Sequence, residues 1–536
     1  MAFSGSIQQR LNALEPVVKD ICVVAGAPGI SLGVYHGGKI VHRANYGFAD
    51  LEAKVPTTSK TTYPIGTMAK ALTASAIGIL VAEGKLEWNT PIREILPGFR
   101  TRSATVTKEL TVVDLLSHRA GLARSNFWWQ GAEGALLLEK SQLLEIYSGL
   151  EPTGNFRADW AYSNWGYAIV GQVIETLSGV SFGHYVEDKI LRPLGLNNTS
   201  FGKISATDYN LAKPYSTLDD GSPYPMPLPP VHDDTIMGPA MGGLSSADDL
   251  LTYSAALLKA YRYETGKSRS DEPKPVLRHV SKQLSGHIFT TSSMLEKSYA
   301  FGFYRSQLPN TILGMGWNSI YVDKMPTLIP KGQSGPVIAH GGSLPGYHVA
   351  MALLPELDSS VVVCTNSIAL GDVSGWVSLA ILEALIETPN PSDFVKLATE
   401  AARSNAGNVR RLQSVLEQQK TSNKSHRNLS QYAGRYKHPN WDWFIDVRQK
   451  QNSELEVAFK GLDSQAWNLN HYESDTFLWL ASREEQAKRG RMTTYPLVAN
   501  HFKLIFQEND QGQIDRLLWP HEAGIPQHEQ YFVKSS

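Results

Sequence analysis

Thr67 and Lys70 stand three residues apart in "GTMAKALTASAIGIL", a glycine turn followed by an apolar run, and this setting predicts a helix that turns both side chains to one face. A hydroxyl beside an amine is the pairing that acyl transfer needs: an alcohol to attack a carbonyl and a base to take its proton. The spacing alone carries little, because Thr57–Lys60, Thr105–Lys108, Thr421–Lys424 and Ser200–Lys203 share it. A solvated lysine titrates near about 10.4, so Lys70 can act as a neutral amine at pH 7 only if it is buried.

Two further groups carry chemistry. "YSN" at Tyr162-Ser163-Asn164 offers a phenol and an amide, although the tripeptide alone also reads as a cap ahead of "WGYAIVGQVIE". "HGG" occurs at His36 and again at His340. The first copy is adequately explained as the turn of a hairpin between "GISLGVYH" and "KIVHRANYGFAD".

The elements that must position these groups are legible in outline. With 536 residues the chain exceeds one ordinary core, so two or more domains are expected. Helical periodicity dominates about residues 66–200, and strands return at "HVAMALLPE" and "SSVVVCTNS". Strands at both ends with helices between imply an α/β unit whose sheet is completed by distant parts of the chain. We assign residues 1–400 to this unit, 401–428 to a polar linker, and 429–536, with its strand-like alternation, to a small antiparallel β-barrel. The Pro-rich "SPYPMPLPPVHDD" reads as a surface excursion or pocket lid.

A formal net charge of −1 gives no electrostatic reason to expect nucleic acid or an anionic membrane. Cys22 and Cys364 sit in apolar runs and read as core residues, and neither a metal constellation nor a phosphate-cradling loop emerges. No cofactor is implied. The first residues read as an amphipathic helix rather than an export signal, so a cytoplasmic protein without a membrane span is expected.

The order "GTMAK", "LTVVDLLSHRAGL", "YSNWGYAIVGQVIE", "PAMGGLSSADDL", "HGGSLPGYHVAMALLPE" resembles the serine β-lactamase-like superfamily of class C β-lactamases, DD-peptidases, esterases and lovastatin-type acyltransferases, over about residues 20–390. The resemblance implies that Thr67 attacks, that Lys70 and Tyr162 exchange the proton, and that Asn164 holds Lys70 and orients substrate. It also implies that His340 sits beside Tyr162, that Gly341 and Gly342 let substrate lie along a strand, and that the N–H groups of Thr67 and Ser343 form an oxyanion hole. Phe127, Trp128 and Trp129 follow the "SHRAGL" loop and are candidates for an apolar pocket wall, or for helix core packing. "LSQYAGRYKHPNWDWFIDV" looks like the start of a lipocalin-like barrel that caps the catalytic unit.

The family pattern is Ser-x-x-Lys, and threonine stands at the nucleophile position here. The added methyl restricts χ1 and crowds the approach to a carbonyl. Three functions follow as alternatives. The first is a hydrolase or acyltransferase that forms an acyl-enzyme on Thr67, with an ester, thioester, lactone or amide of a secondary metabolite as substrate, free or carrier-bound. The second is a noncovalent isomerase, lyase or cyclase that uses the Lys70, Tyr162 and His340 relay. The third is an inactive binding protein.

Overall fold

Val361 and Val363 face one side of the strand Ser359–Thr365, and Val362 and Cys364 face the other, a two-residue alternation that buries both faces of the sheet. The computed structural model describes residues 5–205, 208, 210–268, 272–312, 314–332, 334–422, 424–451, 454–490 and 498–535. Its main sheet has nine antiparallel strands: β1 (Gly29–His36), β2 (Lys39–Asp50), β3 (Val55–Pro56), β4 (Ile288–Phe289), β5 (Lys297–Tyr299), β6 (Tyr304–Gln307), β7 (Pro336–Leu344), β8 (Tyr347–Leu354) and β9 (Ser359–Thr365). The spatial order is β3-β2-β1-β9-β8-β7-β6-β5-β4. Distant segments do complete the sheet: β1 pairs with β9 from Ile30↔Thr365 to His36↔Ser359. Gly37 and Gly38, both at positive φ, turn the β1–β2 hairpin, which accounts for the first "HGG".

Helices cover both faces. The outer face packs α1 (Glu15–Ala25), α5 (Val373–Leu385) and α6 (Phe394–Ala406), with Ile21, Trp376 and Ala401 fully buried among Ile30, Leu32 and Val361. The other face packs the helical subdomain, in which α2 (Ala69–Ala82) is buried continuously from Ala69 to Leu80. A helix apolar on every side belongs at the centre of a domain, and α2 carries Lys70 there. Helix α3 (Asn164–Ser178) begins where the Ser163 hydroxyl accepts the N–H of Gly166 at 3.3 Å and ends at Gly179 in the left-handed region. Helix α4 (Ala247–Glu264) packs on β1 and β9.

Eight strands close the C-terminal barrel: β10 (Gly434–Lys437), β11 (Phe444–Gln449), β12 (Leu455–Phe459), β13 (Ala466–Glu473), β14 (Thr476–Leu478), β15 (Lys503–Glu508), β16 (Ile514–Leu518) and β17 (Tyr531–Lys534). Trp443, Phe459, Trp479, Trp519 and Phe532 are buried and pack on one another.

The stretch 401–428 is not a loose linker. Most of it lies in α6 and in α7 (Asn408–Gln419). Its Asn, Gln, Lys and Arg residues hide a narrow apolar stripe of Val409, Leu412 and Leu416, all buried, and the Tyr472 hydroxyl of β13 donates to the Leu416 carbonyl at 2.5 Å. Arg483 fastens the barrel elsewhere, donating to Asn405 Oδ1 at 3.2 Å and pairing with Asp219 at 2.7 Å.

Candidate active site

Two glycines let a turn and a strand meet. Gly66 opens the 3-10 turn Gly66–Met68 at φ +52, and a Cβ there would lie 3.0 Å from both N and O of Ser343 on β7. A Cβ on Gly342 would lie 2.0 Å from the Ile65 carbonyl oxygen. The close approach sets the Ser343 backbone beside the turn that carries Thr67, and no larger residue fits at either point.

Lys70 is fully buried at the start of α2. Its amine donates to Asn164 Oδ1 at 2.7 Å and to the Ala240 carbonyl at 2.9 Å, and it lies 5.0 Å from the centre of the Tyr162 ring. Both partners are neutral, so burial drives the Lys70 ammonium well below lysine's ordinary range. Burial, and then the neighbouring Tyr304, push the Tyr162 phenol well up, and the nearby Thr67 side chain pulls it partly back. Burial therefore favours the neutral form of both groups, the free amine at Lys70 and the phenol at Tyr162.

His340 lies on β7 with its ring centre 6.1 Å from that of Tyr162. Its Nδ1 is 2.7 Å from the Gly341 carbonyl; a carbonyl only accepts, so Nδ1 carries the hydrogen and Nε2 presents a lone pair. Nε2 is buried without a hydrogen-bond partner among the described residues. Burial and then the nearby Lys70 pull the imidazole down to about 3, so it is neutral at physiological pH. His118, from the "SHRAGL" segment, packs its ring 4.4 Å from Tyr162 and accepts the Ser163 N–H on Nδ1 at 3.0 Å. Burial, with Lys70 as a lesser cause, holds it neutral too.

Thr67, Tyr162, Asn164, His340, Gly341, Gly342, Ser343 and Phe127 all line one cavity of about 280 Å³. The aromatic triplet divides. Phe127 reaches the cavity, whereas Trp128 and Trp129 do not line it, which corrects the expectation of a three-ring wall. Trp128 faces the barrel, edge-on to Trp443 at 4.9 Å and Trp441 at 5.2 Å, and its carbonyl accepts the Trp443 indole N–H at 3.0 Å. Consecutive residues of a 3-10 turn point in different directions, so three neighbours cannot share one wall.

Trp129 acts at a distance. Its indole N–H donates to Asn126 Oδ1 at 3.3 Å, the same oxygen accepts from Asn164 Nδ2 at 3.2 Å, and Asn164 is thereby oriented with Oδ1 toward Lys70. Sequence reasoning missed Asn126, and also Arg124, Trp160, Tyr304 and Asp372, which line the cavity. Arg124 and Asn126 follow the "SHRAGL" loop and Trp160 lies two residues before Tyr162, so proximity to a motif could have raised them; nothing local marks Tyr304 or Asp372. Gly490 of the barrel lines the same cavity. Among the described residues no group of three or more His, Cys, Asp or Glu side chains is arranged to hold a metal ion. Ser200 pairs with Leu244 as an isolated bridge and is not among the cavity's lining residues.

A turn hydroxyl near a buried lysine, a tyrosine two residues before an asparagine, and a glycine-lined edge of an antiparallel sheet define the β-lactamase and penicillin-binding-protein fold. The chain belongs to the β-lactamase family, whose profile matches residues 17–373. A domain of unknown function, DUF3471, matches residues 418–534. The chain is 25% identical over 356 residues to the unguisins hydrolase ungD' of Aspergillus campestris, a match covering 65% of this chain and 60% of that protein's length. It is 26% identical over 375 residues to penicillin-binding protein 4 of Amycolatopsis lactamdurans, covering 69% of this chain and 92% of that one. The octameric penicillin-binding protein homologue from Pyrococcus abyssi shares the fold, with a TM-score of 0.55 at 21% identity over 98% of this chain and 99% of that one.

Proposed function

We propose that this protein is a hydrolase or acyltransferase that forms an acyl-enzyme on Thr67. The observation that carries the reading is the buried Lys70, held by Asn164 and Ala240 with its pKa driven down, beside a cavity lined by both Thr67 and Tyr162. Thr67 Oγ1 attacks the substrate carbonyl, and its proton passes through the Tyr162 phenol to Lys70. The carbonyl oxygen takes the negative charge between the N–H groups of Thr67 and Ser343. As the tetrahedral intermediate collapses, the leaving group departs with the proton returned by Tyr162. Water then repeats the sequence and releases the acid, and an alcohol or amine in its place gives acyl transfer.

The lowered Lys70 and the raised Tyr162 favour lysine as base and tyrosine as relay. The substrate is a small-molecule ester, thioester, lactone or amide of a secondary metabolite, free or presented on a carrier, handled in the cytoplasm. The naming of one relative as an unguisins hydrolase supports that class. Residues up to about 400 form the catalytic unit, and the lipocalin-like barrel caps it.

The test is covalent capture. An alkyl fluorophosphonate should add its mass to the peptide containing Thr67, and Thr67→Ala should lose both the adduct and turnover of an activated ester. Unlabelled wild-type protein together with full turnover by Thr67→Ala would overturn the reading. The lone pair on His340 Nε2 favours one alternative, noncovalent proton transfer by Lys70, Tyr162 and His340. In that case Thr67→Ala stays active and Lys70→Ala does not.

A further inference from the structure

Behind the 3-10 turn Asn126–Trp128 lies a second cavity, of about 460 Å³, at the seam between the helical subdomain and the barrel. It is larger than the Thr67 cavity, and sites for small organic molecules commonly span about 300–1,000 Å³. Asn126 and Phe127 line the Thr67 cavity, whereas Ser125 and Trp128 line the second one. One short turn is thus a wall of both.

Flat rings dominate the seam cavity: Trp128, Trp441 and Phe532, with the imidazoles of His438 and His521. Trp441 stacks on His438 with centres 4.3 Å apart and planes 12° apart, and Trp128 stands edge-on to His438 at 5.2 Å and to His521 at 4.5 Å. Burial pulls both imidazoles down, His438 to about 4 and His521 to about 3, so both are neutral at physiological pH. His438 Nδ1 accepts the Asn440 N–H at 3.2 Å, which leaves the hydrogen on Nε2 as a donor. His521 Nδ1 is buried without a hydrogen-bond partner among the described residues, a state that calls for a polar ligand atom. Arg102, also on the wall, is paired with Glu151, and Glu529 adds a second carboxylate, so the charge balance disfavours an anion.

We propose that the seam cavity binds a neutral, planar aromatic molecule bearing a hydroxyl group, and that the turn Asn126–Trp128 transmits its binding to the catalytic cavity. A hydroxyl both donates and accepts, so it serves His521 in either tautomer and takes the His438 Nε2–H. The aromatic body packs against Trp128 and Trp441. Hydrogen bonds tie the turn on both sides. Glu522, next to His521, accepts the Ser125 N–H at 2.6 Å; Asn126 Oδ1 accepts from Asn164 Nδ2 at 3.2 Å, and Asn164 Oδ1 accepts from Lys70 at 2.7 Å. A ligand that packs on Trp128 as it stands favours this arrangement of the turn over any other, and with it the Asn164–Lys70 contact. The site stands whether or not Thr67 is acylated.

Calorimetry with 2-naphthol, naphthalene and 2-naphthoate tests the site. 2-Naphthol should bind one to one, and the other two about fivefold or more weaker. His521→Phe should weaken 2-naphthol by about three- to tenfold and leave naphthalene unchanged. Ile525→Trp, which fills the cavity from a half-buried wall position, should abolish binding of both. Hydrogen exchange followed by mass spectrometry reads the coupling without turnover. Bound 2-naphthol should slow exchange by about threefold or more in peptides covering 124–130 and 163–166 of the wild type, and not in Ile525→Trp. Absence of 2-naphthol binding, binding that survives both substitutions, or tighter binding of naphthalene or 2-naphthoate overturns the site. Protection confined to the barrel overturns the coupling.

Discussion

The Lys70 amine and the Asn164 amide oxygen stand 2.7 Å apart in a pocket closed to solvent, and neither carries a charge that would hold a proton on the amine. Replacing the amide by a carboxylate reverses this. In Asn164→Asp the negative charge favours the ammonium form, raises the Lys70 pKa, and leaves the free amine available only at higher pH. We expect activity at pH 7 to fall by about 10²- to 10⁴-fold and the acid limb of the kcat/KM profile to move to higher pH. A limb that stays in place would show that Lys70 is not the base.

The glycine contact between β7 and the turn that carries Thr67 makes a second expectation. Gly342→Ala pushes a methyl group to within 2.0 Å of the Ile65 carbonyl oxygen and so separates Ser343 from Thr67. The loss should be about 10²–10³ in kcat, the scale of a lost oxyanion donor. Gly202→Ala, at a position with nothing within 4 Å, is the control and should leave kcat and melting temperature at wild-type values.

Acid should weaken the fold through its buried histidines. His340 and His521 are pulled down to about 3, and His287 and His438 to about 4, in each case chiefly by burial. The unfolded chain takes up these protons near about 6.5 while the folded chain refuses them, so stability is lost as pH falls from there toward 4. Each such group adds about 1.4 kcal/mol per pH unit to the slope once its unfolded form is protonated. Urea midpoints at pH 7, 6 and 5 should decline, and His521→Phe should flatten the decline. A midpoint constant over that range would contradict the assignment.

The domain seam is the fourth target. Trp128 is buried against Trp441, Trp443 and His521, so Trp128→Ala should cost about 3–5 kcal/mol. Trp443→Phe removes the 3.0 Å bond to the Trp128 carbonyl together with part of a buried ring, and should cost about 2 kcal/mol, less than Trp128→Ala. Differential scanning calorimetry should show both domains melting earlier in Trp128→Ala; a shift confined to one domain would mean that the seam carries little of the stability.

Much of the site was legible because the residues that touch in space also recur in a fixed order along the chain. Thr67, Lys70, Tyr162, Asn164 and His340 come from two helix starts and one strand, and each start has its own local signature in a turn glycine, a Ser163 cap or a paired glycine. The strands β1, β8 and β9 were legible from alternation, and their pairing across more than three hundred residues followed from the need to bury both sheet faces. What escaped depended on direction and on distant packing. Trp128 reads like Phe127 in sequence, and only the barrel decides which of them faces the cavity. Residues 401–428 read as linker because polar residues outnumber the three that form the buried stripe. Tyr304 has no local mark, since its role comes from β6 lying beside β7 in the sheet.

Gly490 lines the cavity with Thr67, although the two are separated by most of the chain and belong to different domains. Exchange of the C-terminal domain between relatives would therefore reshape this part of the cavity while leaving Thr67, Lys70, Tyr162 and Asn164 untouched. Recombination at the α7 junction offers this protein a route to new substrates that point mutation around Thr67 does not.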